Sequence, residues 1–393
     1  MSQRLISRSQ DLKRLRDEGF DIEVRSGYLL IKDVPYVNSA GEIKRGILVS
    51  QLTTAGDRTG APETHVAMFA GEHPCDKDGR ELAQIRHQSG SQRLADDLVV
   101  DHSFSSKPVG GRAYDDYYEK MNAYVAILVG PARAIDPDMS AQTFPAFTPD
   151  EDDSVFHYVD TATSRAGIGL ANEKLALGKV AIIGAGGTGS YVLDLVAKTP
   201  VKELHLFDGD DFLSHNAFRA PGASSVEQLE AKPKKVAHLR DLYSDMRRGI
   251  VAHDYFIDAS NVTELQGMEF VFLCIDAGES KRVIVENLET FNIAFIDVGM
   301  GVELIGDALR GALRVTTSTP QQRDHFRGRV SLADTGLAEE YATNIQVADL
   351  NALNAALAVV RWKKLFGFYL DFESEHNSTY SIDTNSLIND DDS

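Results

Sequence analysis

Cysteine is scarce in this chain, with only Cys75 and Cys274 among 393 residues. Two thiols exclude a disulfide framework and a four-cysteine zinc site, so no zinc is expected and a reducing, cytoplasmic setting fits best. Long apolar runs are missing too. No stretch of about 18 or more hydrophobic residues occurs, and no membrane span is expected. The first 20 residues are mixed in charge and lack the apolar centre of a secretory signal. Basic residues are outnumbered, 40 Lys and Arg against 59 Asp and Glu, for a formal net charge of −19. A field of that sign repels nucleic acid, although a local basic pocket can still hold a nucleotide. Hydrophobic residues, at 43%, suffice for ordinary cores. The length suggests two domains, and no internal repeat is evident.

Residues 1–133 read as a smaller mixed α+β domain. Gly27–Val34 and Ile47–Leu52 look like strands between polar turns, and Tyr124–Val129 is another short apolar run, ended by Gly130 and Pro131. Residues 134–160 read as a linker, because Pro137, Pro145 and Pro149 are followed by the acidic run Asp150–Asp153. Residues 161–371 form the second domain. Here Lys179–Ile183, Glu203–Phe207, Phe270–Ile275 and Ala294–Val298 are short apolar strands. They alternate with helical stretches at Ser190–Lys198, Lys234–Met246 and Ser280–Phe291. That alternation implies a Rossmann-like, doubly wound, mainly parallel sheet in an α/β fold. Val302–Thr316 reads as an antiparallel pair turning at Gly306 and Asp307. Ile345–Phe366 reads as a helix with Leu350, Leu353, Leu357 and Val360 on its apolar face. Residues 372–393, ending in Asp390–Asp392, are expected to be a disordered acidic tail.

The chemistry concentrates where the first of these strands meets the first helix. Gly184, Gly186, Gly187 and Gly189 form a glycine loop that lets backbone approach phosphate closely, and the helix start behind it offers free N–H groups. Asp208 follows Gly184 by 24 residues, at the end of the second strand, where an acid binds ribose hydroxyls. To this point NAD and ATP explain the pattern equally, and an NAD-dependent oxidoreductase is the rival reading. The next residues favour ATP. Asp210, Asn216 and Arg219 follow within a short loop, and Lys234 and Lys235 open the next helix. A triphosphate that releases pyrophosphate needs more positive charge nearby than a dinucleotide does.

Taken in order, these elements resemble the ThiF/MoeB/HesA family, relatives of the ubiquitin-activating enzymes. The shared pattern is G-x-G-G-x-G, then D-x-D-x(5)-N-x-x-R, then a lysine at a helix start, then a strand ending in C-x-D, here Cys274-Ile275-Asp276. The resemblance covers roughly residues 165–365. It implies ATP- and Mg-dependent adenylation of a carboxylate, typically the C-terminal glycine of a ubiquitin-like or sulfur-carrier protein. By the same resemblance Asp208 binds ribose, Asn216 and Arg219 contact phosphate, Lys234 or Lys235 supplies the phosphate-binding lysine, and Asp276 holds Mg²⁺. Arg219, Lys235 and Asp276 are then the catalytic set. Arg165 matches an arginine that reaches into a neighbouring subunit, which implies a homodimer.

Departures from the family pattern also carry information. The paired C-x-x-C zinc ligands of many relatives are missing. No cysteine follows Cys274, so the usual place for a thioester nucleophile is empty. Cys274 reads as a buried thiol and Cys75, beside His73, as a surface cysteine in a polar loop. The N-terminal domain is expected to recruit a target or a conjugating partner. A non-catalytic scaffold subunit is the remaining alternative, and the full set of nucleotide residues in one chain speaks against it.

Overall fold

The computed structural model describes residues 2–96, 98–149, 154–276, 278–332 and 345–389. They separate into two compact units, one of residues 1–153 with 158–167, the other of residues 154–157 with 168–393. The acidic run Asp150–Asp153 and the closing Asp390–Asp392 lie outside the described residues. Among the described residues no helix is long and apolar enough to cross a membrane.

The first unit is built on a six-stranded antiparallel sheet of β1 (Ile22–Arg25), β2 (Tyr28–Val37), β3 (Ile43–Gln51), β6 (Val66–Ala70), β7 (Arg86–Ala95) and β8 (Leu98–Ser105), in the order β1-β2-β3-β6-β8-β7. A small ribbon of β4 (Thr54–Ala55) and β5 (Arg58–Thr59) stands beside it. The short apolar run Tyr124–Val129 does not end at Gly130 and Pro131 but is part of the helix Tyr117–Ile135. Tyr117, Met121, Tyr124 and Leu128 recur at helical spacing and are wholly buried, which a strand of alternating faces cannot achieve. Asp116 starts the helix by accepting a hydrogen bond from the Glu119 amide at 2.8 Å. Cys75 is also not a surface residue. It is 1% exposed, is bridged between Val37 and Glu81, and its thiol donates to the His73 carbonyl.

The second unit holds an eight-stranded sheet of β9 (Lys179–Ile183), β10 (Glu203–Phe207), β11 (Ile250–His253), β12 (Phe270–Leu273), β13 (Ala294–Ile305), β14 (Ala308–Ser318), β15 (Asn377–Ser381) and β16 (Ser386–Asn389). The order is β11-β10-β9-β12-β13-β14-β15-β16. The first five are parallel and the rest antiparallel, so the expected Rossmann-like α/β fold is the observed one. The chain enters at β9, winds outward through β10 to β11, then returns to the far side of β9 through β12. That reversal is the switch point at which open α/β sheets form their clefts.

The tail expected to be disordered contributes β15 and β16 to the sheet edge. Asn377 explains part of this, because its amide oxygen accepts from the buried Thr316 hydroxyl at 2.7 Å. The helix Ala348–Leu365 exists as expected but turns a different face inward. Asn351, Asn354, Ala355, Ala358 and Trp362 are its fully buried residues, whereas Val360 is 41% exposed. Small alanines let this helix lie close against the helix Gly187–Val196.

Candidate active site

The glycine loop leaves β9 through Gly184, at φ +88°, in the left-handed region where a side chain is strained. A Cβ on Gly189 would collide with the Gly184 carbonyl, and one on Gly187 with the Asn351 amide. Glycine is therefore required at both positions for the turn to close. Asn351 secures the loop from behind. It is fully buried, its Oδ1 accepts from the Thr188 hydroxyl at 3.2 Å, and its Nδ2 donates to the Arg219 carbonyl at 3.4 Å.

Asp208 follows β10 and is 4% exposed. Its Oδ2 accepts from the Ala185 amide at 2.8 Å and its Oδ1 from the Asp210 amide at 2.9 Å. Each oxygen keeps a further lone pair for an outside donor such as a ribose hydroxyl. Lys235, at the start of its helix, places Nζ 2.6 Å from Asp210 Oδ2 and 3.6 Å from Asp208 Oδ1. Lys234 turns away to Asp211 at 2.9 Å and to the Gly209 carbonyl at 3.0 Å.

A cavity of about 870 Å³ opens at the switch point. Gly184, Gly186, Gly187, Asp208, Asp210, Arg219, Lys235 and Asp276 all line it. Residues spread over roughly 90 positions of sequence thus share one space. Lys234, Asn216 and Gly189 do not line it. Asn216 is buried and caps its own short helix, its Oδ1 accepting from the Leu213 amide at 2.9 Å. Arg165 is exposed at the end of the helix Thr161–Arg165, in the first unit.

The far end of the cavity is built from residues that belong to no sequence motif. Lys281 and Arg314 line it and both hold Asp297, which is wholly buried, at 2.5 and 2.6 Å. Arg314 crosses directly over Gly299, 2.7 Å from where a Cβ would stand there, and also donates to the Arg329 carbonyl. Gln346 and Asn354 join this wall. The only sequence signal was the pair Asn351 and Asn354, one helical turn apart in an otherwise apolar helix. Cys274, read from the sequence as a buried thiol, is only half-buried and lines the cavity beside this cluster, and desolvation, reinforced by the Asp297 carboxylate, pushes its pKa well above the usual thiol range.

Residues 161–381 match the ThiF family model. The chain belongs to the ThiF family. Residues 10–161 match a second model, described as a domain of unknown function (DUF6791). No match was found among curated proteins. Solved structures with a similar fold include Escherichia coli MccB with ATP, 17% identical, covering 56% of this chain and 65% of that one, at a TM-score of 0.45. MccB with MccA-N7isoASN is 15% identical, covering 77% of this chain and 95% of that one, at a TM-score of 0.47. The E. coli tRNA N6-threonylcarbamoyladenosine dehydratase TcdA is 18% identical, covering 53% and 96%, at a TM-score of 0.39. This ThiF-family chain spans just under two thirds of the first of these structures.

The residues present suit a nucleotide and its metal. At Gly186, on the loop's cavity side, an added Cβ would meet nothing within 4 Å, so the loop leaves room for a phosphate there. The Arg219 Nε is buried without a partner among the described residues and belongs to a side chain lining the cavity. Among the described residues no group of three His, Cys, Asp or Glu forms a metal site by itself. Mg²⁺ does not need one, since it is commonly held by one or two carboxylates with phosphate oxygens and water. Asp276 provides such a carboxylate on the cavity wall.

Proposed function

We propose that this chain is an ATP-dependent adenylyltransferase whose substrate is the C-terminal glycine carboxylate of a ubiquitin-like or sulfur-carrier protein. The observation that carries the reading is the convergence of the glycine loop, the Asp208–Lys235 pair, Arg219 and Asp276 on one cavity.

The chemistry matches that equipment. A terminal carboxylate has a pKa of about 3.5 and needs no general base at neutral pH. One of its oxygens attacks the α-phosphorus, forming the acyl–phosphate bond. The α–β phosphoanhydride breaks and pyrophosphate leaves with the electron pair. The protein's part is to hold two anions in line and offset the charge that develops. Asp208 orients the ribose, the loop amides hold phosphate, and Lys235 and Arg219 supply positive charge. Mg²⁺, held by Asp276, would add charge neutralisation at the phosphates. Adenylation in a homodimer, with Arg165 reaching a second subunit, and a docking role for the first unit toward a target or conjugating partner, belong to the same proposal.

Exchange of labelled pyrophosphate into ATP, supported by a panel of ubiquitin-like and sulfur-carrier proteins, tests it. Asp276→Ala and Arg219→Ala are each expected to lower exchange by about 10²–10³ while the melting curve is preserved. Calorimetric binding of NAD without binding of a non-hydrolysable ATP analogue would replace this reading with the oxidoreductase one.

A further inference from the structure

The end of the cavity beyond Asp276 has a different character from the phosphate end. Its floor is β13 and β14, at Gly299, Gly301 and Ala312. These positions hold almost no side-chain bulk, and a Cβ on Gly301 would meet nothing within 4 Å. The space above Gly301 is therefore open. Two residues with neutral acceptors belong to the cavity wall here, Asn354 and Gln346. Asn354 is wholly buried, and its Nδ2 donates to the Gly299 carbonyl at 3.0 Å. That bond fixes which way the amide points and leaves Oδ1 as a buried acceptor without a partner among the described residues. The Oε1 of Gln346, on the same wall, is likewise a buried acceptor without a partner among the described residues.

Buried acceptors are costly unless something donates to them. The charges nearby narrow what that donor is. Lys281 and Arg314 share the single carboxylate of Asp297, so this end of the cavity carries net positive charge. An ammonium group is disfavoured there. A neutral N–H within a molecule that ends in a carboxylate is favoured. A peptide backbone close to its C-terminus has both features, and an extended one lies flat over glycine without side-chain conflict.

We propose, resting on the adenylation reading above, that Asn354 and Gln346 are specificity-determining residues that accept hydrogen bonds from the last backbone N–H groups of the acyl substrate. The open floor at Gly299 and Gly301 gives that backbone its close approach. Arg314, laid over Gly299 by Asp297, bounds the path.

Three probes test this by calorimetry with the full chain. The first is a non-hydrolysable ATP analogue. The second is an acyl-adenylate mimic, 5′-O-sulfamoyladenosine acylated with acetyl-glycyl-glycine. The third is its depsipeptide counterpart, in which ester oxygens replace the amide N–H groups without changing shape. The wild-type chain is expected to prefer the amide mimic by at least about tenfold, because an ester sets oxygen against oxygen. Gln346→Met, close to isosteric, and Asn354→Leu are each expected to weaken binding of the amide mimic towards that of the ester. Both variants should bind the ATP analogue as the wild type does, which also shows that they are folded. Equal affinity for amide and ester in the wild type, or an undiminished preference in both variants, overturns the proposal. In either case binding of the ATP analogue leaves the adenylation reading standing. Failure of the wild type to bind any of the three probes overturns that reading and this inference with it.

Discussion

Lys235 and Asp210 form an ion pair at 2.6 Å on the cavity wall, while the adjacent Lys234 is tied to Asp211 outside the cavity. The sequence left the two lysines equivalent, because a helix start makes either one a candidate. The helix start separates them, since Lys234 is the extended N-cap, φ −59° and ψ 138°, and Lys235 the first helical residue. Lys235→Met is expected to weaken binding of a non-hydrolysable ATP analogue by at least about tenfold, through loss of a largely buried charge-assisted contact. Lys234→Met is expected to stay within about twofold, as suits an exposed surface pair. Titration calorimetry decides it, and the reverse order would move the phosphate contact to Lys234.

Two glycines of the loop should respond differently to one methyl group. At Gly189 a Cβ meets backbone that cannot yield, so Gly189→Ala should destabilise the second unit by roughly 1–3 kcal/mol and abolish nucleotide binding. At Gly186 a Cβ meets nothing within 4 Å, and φ is −75°, which any residue adopts. Gly186→Ala should therefore melt like the wild type and yet bind nucleotide more weakly, because the methyl group enters the phosphate space. Thermal melts with and without the ATP analogue distinguish the two. Equal melting temperatures for both variants would show that the loop tolerates a side chain at either site.

Neither cysteine is expected to form a thioester. Burial pushes both thiols up, and acidic neighbours add to the effect: Asp297 at Cys274, and Glu81 and Asp76 at Cys75. The thiolate is the nucleophile, so a raised pKa removes it at neutral pH. Cys274→Ala should retain pyrophosphate exchange at a packing cost of about 1 kcal/mol. Intact mass spectrometry after incubation with ATP, Mg²⁺ and a carrier protein reads the adduct directly. A carrier thioester on Cys274 would contradict the prediction.

The first unit should show a pH signature from Lys120. This side chain is wholly buried and donates to the Ser50 hydroxyl at 2.9 Å and to the Thr64 and Val66 carbonyls at 2.8 Å each. Burial lowers its pKa to about 8, against 10.5 when exposed. Between those values the unfolded chain keeps a proton that the folded chain has released, so stability rises with pH across that window and is lost as pH falls back through 8. Urea unfolding at pH 7.5 and pH 10, compared with Lys120→Met, isolates this contribution. A difference between the two proteins that is flat with pH would mean that the three hydrogen bonds hold the ammonium charged throughout.

What was legible in the sequence has a common basis. β9 and β10 fall at the expected residues, since short apolar runs ended by glycine or aspartate report fully buried parallel strands. The hairpin of β13 and β14 turns at Gly306 and Asp307 as the turn residues required. Elsewhere local pattern was ambiguous. Tyr124–Val129 is apolar without alternation, and only the spacing back to Tyr117 identifies a helix. The buried face of Ala348–Leu365 differs from the apolar one because its asparagines are core residues, held by contacts of Asn351 to Thr188 and of the Asn354 Nδ2 to Gly299 that no local window contains.

By itself the sequence determined the glycine loop and the parallel sheet. Both depend on short-range requirements: glycine where backbone must turn or be approached, and apolar runs where a strand is covered on both faces. The tertiary structure alone decided which lysine enters the cavity, that Asp297 gathers Lys281 and Arg314, and that the buried Asn354 amide oxygen is left without a partner among the described residues. These depend on which side chains meet across β12, β13, β14 and the helix Ala348–Leu365. Residues far apart in sequence become neighbours only when the sheet's strand order brings them together.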